Sequence, residues 1–348
     1  MSKFYRTPGF RAIAMLVVLG AIAFFGREHL SFISDGWNEL SQGNNTWIAL
    51  AAVAIALSMV AQAEVMVVLL RSADVPAGRW RSNMLGLAAN AWSATFPGGP
   101  AISAAMIFRE QLKWGATPVI ASWYMILSGA LSGAGMAILA VGAVFFLGLK
   151  VSWVTIAVAV GALVAIALAT NWIALHPRSV EAFLINRARA FNRLMKKPED
   201  RFTEHLAGMS EQIAAVELPL PRLAMAITAS LMNWVLEIIA LLFCVVAVGA
   251  EAPVAGVVLS FLAAKLVGQV QVTPGGLGTV DLALTSSLVA MGTLTIHQAF
   301  ATAIVFRMLS FIGLALVGWI VYFAGQFNKM GDDPTTAPVD SEAGRRLT

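Results

Sequence analysis

Two long apolar stretches of this 348-residue chain are each interrupted by the same kind of cluster. The first is Phe96-Pro97-Gly98-Gly99-Pro100 and the second is Thr273-Pro274-Gly275-Gly276-Leu277-Gly278. Neither lies in a polar linker: residues 85–89 and 101–108 flank the first, 257–262 and 282–284 the second. Proline removes a backbone donor and glycine weakens a helix, so each cluster predicts a broken helix in apolar surroundings. Broken backbone cannot face lipid, because an unpaired amide there has no water to bond; it persists only inside protein or beside a wet cavity. One break in each half of the chain is the pattern of paired discontinuous helices around a binding site.

Composition agrees with a membrane environment. The chain is 59% hydrophobic and 12% charged, with a mean hydropathy of +0.78, whereas a soluble domain carries about 25% charge. The expected class is an all-α, polytopic membrane protein. The single cysteine, Cys244, excludes an intramolecular disulfide and reads as a small buried hydrophobe. His29, His176, His205 and His297 have no metal-ligand spacing, so neither a metal nor a cofactor is expected. The longest polar run, about 45 residues, is short for a separate catalytic domain.

Charge orients the spans. Residues 178–201 hold seven bases against three acids, the N-terminus adds Lys3, Arg6 and Arg11, and 71–81 carries Arg71, Arg79 and Arg81 against Asp74. Residues 27–46 have only Arg27 against Glu28, Asp35 and Glu39. The positive-inside rule puts both termini, 71–81 and 178–201 in the cytoplasm, and 27–46 outside. Apolar runs long enough to cross fall near 10–26, 47–70, 116–149, 151–175, 223–249 and 298–324. In segment 82–108 the arm before Pro97 reaches only about 22 Å, short of a hydrocarbon core of about 30 Å. Either it turns back as a re-entrant hairpin and 116–149 is one tilted helix, or it crosses and 116–149 is two; the charges favour the hairpin. Segment 254–292, broken at Pro274, is the second hairpin.

The expected organisation is one transmembrane domain, 1–324, with halves 47–149 and 223–324 in an inverted-topology repeat: about six spans plus two re-entrant or broken helices. Residues 177–217 read as a basic amphipathic segment against lipid headgroups, or equally as a solvated linker. The tail 325–348 reads as disordered and cytoplasmic.

Several ionisable residues fall within or beside the apolar stretches: Glu64, Glu237, Lys265, Asp281, Arg307 and Arg109. A charge at the bilayer centre costs from about 2.5 to over 10 kcal/mol, so such residues face a wet cavity or a partner. Glu64 precedes Pro97 by 33 residues and Glu237 precedes Pro274 by 37, comparable places in the two halves. The bland reading pairs Glu64 and Glu237 with Arg307 and Arg109 to lock the bundle. The functional one has Arg109 and Arg307 gripping a phosphate through their planar forks, with free amides at the helix breaks beside them. Asp281 begins the helix after the second break, where it either complements the macrodipole or binds a cation or proton. The second cluster is not a Walker loop, since no Gly-Lys-Ser/Thr follows. Ser128-Gly129, Ser132-Gly133 and Gly135 read as close helix packing.

The run Thr273-Pro274-Gly275-Gly276-Leu277-Gly278-Thr279-Val280-Asp281, ahead of a last span with Arg307, resembles the signature of the lysylphosphatidylglycerol synthase transmembrane-region family. Phe96-Pro97-Gly98-Gly99-Pro100 through Phe108-Arg109 is similar to the branch typical of actinobacteria. The resemblance spans roughly 45–325. It implies a multi-span fold with re-entrant helices; in fused members the region is a flippase for aminoacylated phosphatidylglycerol, and stand-alone relatives are associated with envelope lipid or lipid-linked sugar handling. It carries over to Pro97, Arg109, Pro274, Gly275, Gly276, Gly278, Asp281 and Arg307. Two departures stand out: the family usually has Glu where this chain has Asp281, and no aminoacyl-transferase domain accompanies these residues, so lysyl transfer is not expected of them.

The leading expectation is therefore a non-enzymatic lipid transporter or flippase of the bacterial inner membrane. Its expected site comprises Arg109, Arg307, Asp281, Glu64 and Glu237, with the broken-helix residues Pro97, Gly98, Gly99, Pro274, Gly275, Gly276 and Gly278. The expected ligand is an anionic phospholipid or lipid-linked phosphate, not nucleic acid; a second copy of the chain or an envelope-synthesis enzyme is the protein partner considered. The alternatives are a membrane-embedded enzyme with Asp281 or Glu237 as general base, and a scaffold docking through 178–201.

Overall fold

The computed structural model describes residues 39–96, 98–146, 218–269 and 273–325. The expected spans 10–26 and 151–175, the basic segment 177–217, Pro97 and all but the first residue of the tail lie outside them. The described residues form eight helices of twelve or more residues and no strand. They are α1 (Asn45–Ser72), α2 (Arg79–Thr95), α3 (Gly99–Lys113), α4 (Pro118–Phe146), α5 (Leu220–Ala247), α6 (Val254–Gly268), α7 (Thr279–Ala290) and α8 (Ile296–Phe323). Helices α1, α4, α5 and α8, each 28 or 29 residues, are long and apolar enough to cross a membrane. They match four of the six expected spans to within a few residues. The stretch 116–149, open between one helix and two, is the single helix α4.

Both expected breaks exist, and each turns the chain back on itself. Phe96 is extended at φ −110°, ψ 144°, the conformation a following proline imposes. Gly98 then adopts φ +67°, which glycine reaches without steric cost. The chain doubles back so closely that a Cβ on Gly99 would stand 2.0 Å from the Ser93 carbonyl oxygen. At the other end of this hairpin the Arg81 guanidinium lies 5.1 Å from the Trp114 ring centroid. The second hairpin turns through Pro274–Gly276, with Gly275 at φ +57°. Its open ends meet where a Cβ on Gly256 would be 2.0 Å from the Met291 carbonyl oxygen. The hairpin helices have 17, 15, 15 and 12 residues. At 1.5 Å per residue they reach about 25 Å or less.

The first helices of the two halves run antiparallel. The Asn44 amide, at the start of α1, donates to the Ala247 carbonyl, at the end of α5, over 2.9 Å. Toward the opposite ends, Ala226 and Ala229 of α5 share a buried cluster with Val65, Met66, Val68, Leu69 and Leu70 of α1. Opposite chain direction at equivalent positions is what an inverted repeat requires of its first helices. Each hairpin's leading helix then packs on the other half's last span, α2 on α8 and α6 on α4. Buried Cys244, Leu241, Phe261 and Leu288 centre the larger core, where α5 meets the second hairpin.

Small residues set one of these crossings. A Cβ on Gly318 of α8 would stand 2.2 Å from the Leu87 carbonyl oxygen and 2.8 Å from the Ala91 methyl of α2. Gly135 packs similarly under Trp234, whereas Gly129 and Gly133 face open space, so only part of the expected small-residue packing on α4 forms among the described residues. Gly318→Ala is therefore expected to push α8 off α2 and to cost about 1–3 kcal/mol, as overpacking does. Gly129→Ala should be neutral or stabilising by up to about 1 kcal/mol through helix propensity. Thermal unfolding of both variants in detergent separates the two.

Candidate functional site: a cavity between the hairpins

A cavity of about 400 Å³ lies where the two hairpins meet, and all eight helices contribute to its wall. Its charged wall is built by α6 and α8. Arg307 closes the regular part of α8, immediately before a π-helical turn, Met308–Gly313. Such widened turns displace side chains from the regular helical register and recur at functional sites. Arg307 Nε donates to Asp281 Oδ1 at 2.7 Å, and Nη2 donates to the Gly275 carbonyl at 2.9 Å. Its guanidinium carbon sits 4.3 Å from the Phe311 ring centroid. One arginine thus ties the last span to the tip of the second hairpin. Only 8% of it is exposed, and a buried charge of this kind requires a partner at close range.

Asp281 has two tasks. Oδ1 meets Arg307 while Oδ2 accepts the Gly278 amide at 2.8 Å, capping α7. The N-terminal structural role considered for it is realised, and the Gly278 amide, expected to be free for an anion, is already engaged. Lys265 of α6 is the second cation. Its Nζ lies 2.5 Å from Glu237 Oε2 and 5.2–5.4 Å from the ring centroids of Phe261 and Trp234.

The acid–base pairings of the bland reading are thereby corrected. Glu237 pairs with Lys265, not with an arginine, because α6 packs beside α5. Glu64 makes a bidentate pair with Arg79, both contacts at 2.8 Å, at the solvent-accessible start of α2. Arg109 is exposed near the end of α3 and does not line the cavity; the helical hairpin carries it away from the tip. Of the expected site residues, the structure brings Arg307 and Gly275 to the cavity wall, with Asp281 and Glu237 directly behind its two cations. Gly276 is buried and Gly278 exposed in the same turn, Gly98 is exposed, and Gly99 is buried in the first hairpin.

In the sequence Lys265 reads only as a charge in an apolar run, with nothing that assigns it to the site. Its spacing of 28 residues from Glu237 carries no signal, since only the turn between α5 and α6 brings them together. The neutral polar wall, which includes Ser82, Asn90, Ser93 and Ser103 from the first hairpin, had no signature at all.

The sequence model of the lysylphosphatidylglycerol synthase TM region matches residues 11–318. The chain belongs to this family. Membership, together with the four apolar spans, makes it a multi-pass membrane protein of lipid-related function. No curated protein matches the chain. The match covers the described halves from α1 into the last turns of α8, so the Arg307–Asp281 pair and both hairpin tips belong to the family region.

Proposed function

We propose that the protein is a lipid transporter, or flippase, acting on an anionic phospholipid or a lipid-linked phosphate. The observation that carries this reading is the sign of the cavity wall. Among the described residues it presents Lys265 and Arg307 and no acid, while their carboxylate partners stand outside the lining. A guanidinium has five donors, and two of its nitrogens are engaged by Asp281 and Gly275; the remaining fork suits a phosphate. Two antiparallel halves closing around one site supply the architecture for alternating access, with both hairpins re-entering the membrane. The described wall offers no carboxylate, imidazole or thiol as a general base, which favours transport over chemistry. The base distribution supports a bacterial inner-membrane orientation with both termini and residues 71–81 inside.

Proteoliposomes containing the full chain and fluorescent phospholipids provide the test. Labelled phosphatidylglycerol should change leaflet faster than labelled phosphatidylcholine, and Lys265→Gln should slow it by roughly tenfold, the effect of about 1.4 kcal/mol. Equal rates for the two lipids, or none above empty vesicles, would sink the proposal.

A further inference from the structure

The cavity wall is chemically divided. Both cations come from α6 and α8, on the side of the second hairpin, whereas the wall from the first hairpin is neutral and rich in hydroxyl and amide groups: Ser82, Asn90, Ser93 and Ser103. Ser82 is completely buried, and its hydroxyl has no hydrogen-bond partner among the described residues. Among the described residues the Asn90 amide donates to the Met59 sulfur alone, at 3.8 Å. A buried hydroxyl without a partner forfeits its hydrogen bond to water, at a cost that a ligand bearing matching groups removes. A cationic headgroup would meet Lys265 and Arg307 with no acid in the described lining to receive it.

We infer that the headgroup is a phosphodiester carrying an uncharged, polyhydroxylated group, a glycerol, inositol or sugar, with no free amine. The phosphate faces Arg307 and Lys265, and the hydroxyls face Ser82 and Asn90. This rests on the anionic-lipid reading above and narrows it. It also separates this chain from the aminoacylated lipid in its family's description, since an added lysyl group would bring ammonium groups against two cations whose acids are already engaged outside the lining. Hydroxyl-to-hydroxyl bonding is weak singly, but a site built to receive it discriminates strongly against ligands that leave its polar groups unpaired.

Binding of five lipids to the purified full chain in neutral detergent tests this, using displacement of a labelled phosphatidylglycerol. Unlabelled phosphatidylglycerol and phosphatidylinositol should compete at least roughly tenfold better than phosphatidic acid, which has phosphate but no hydroxylated group. Lysyl-phosphatidylglycerol should compete worst among the glycerol-bearing lipids. Ser82→Ala combined with Asn90→Leu should bring phosphatidylinositol and phosphatidic acid to similar affinities. Equal competition by phosphatidic acid and phosphatidylinositol in the wild type, or strongest competition by the lysyl lipid, overturns the headgroup inference while leaving an anion site standing. Equal competition by phosphatidylcholine removes the anion site itself, and this inference with it.

Discussion

Arg307→Ala is expected to destabilise the protein by about 3–5 kcal/mol, as removal of one partner from a buried ion pair does. The side chains of Arg307 and Asp281 are only 10% and 16% exposed, so the orphaned carboxylate has little water to turn to. The same substitution leaves the Gly275 carbonyl without its donor. Arg307→Lys keeps the charge but offers a point donor that cannot serve Asp281 and the Gly275 carbonyl as the planar fork does. It should fall between wild type and Ala in stability and lose most transport. The informative variant is the double mutant Arg307→Met with Asp281→Asn, in which neither charge remains buried. Thermal unfolding should recover most of the lost stability, whereas lipid transport should stay low because the cation facing the cavity is gone. Recovery of both properties would restrict Arg307 to neutralising Asp281 and remove it from the headgroup site.

Gly275→Ala should be the most damaging single-methyl change at the hairpin tip. An added Cβ would lie 1.9 Å from the Phe311 ring edge, and the residue already sits at φ +57°. The backbone term alone is about 1–2 kcal/mol for an L-residue in the left-handed region. Relief of the clash must come from Phe311, the ring against which Arg307 rests, so the substitution disturbs the tip and the cation together. Helix propensity, a gain of about 1 kcal/mol per glycine replaced, is the smaller effect. Adding Phe311→Ala makes room for the methyl, so it should restore part of the stability of Gly275→Ala but not the backbone term. If Gly275→Ala alone unfolds and transports like wild type, the tip has slack that the close approach denies.

What could be read in the chain before its structure follows local rules. The breaks at Pro97 and Pro274 and the four described spans come from proline stereochemistry, glycine freedom and apolar length, all properties of neighbouring residues. Asp281 at the start of α7 was legible in the same way, because helix capping acts over three residues. The pairings were not. The bland reading pairs Glu64 and Glu237 with Arg307 and Arg109, yet each carboxylate meets a base that only helix packing brings near, Arg79 and Lys265 respectively. Arg109 resembled Arg307 in its position after a break, but a hairpin helix turns one face to the cavity and another away, and Arg109 falls on the exposed side.

The amino-acid sequence by itself determined that this protein is an all-helical membrane bundle broken once in each half. It did so because lipid leaves a backbone few ways to satisfy its hydrogen bonds, and those ways are written in local composition. The tertiary structure alone decided which charges meet and which face the cavity. It decided that Lys265 and Arg307 share one wall with their acids behind them, and that Ser82 and Asn90 stand on the other. Those placements depend on crossing helices that carry residues tens to hundreds of positions apart to within a few ångströms, a distance over which local patterning has no reach.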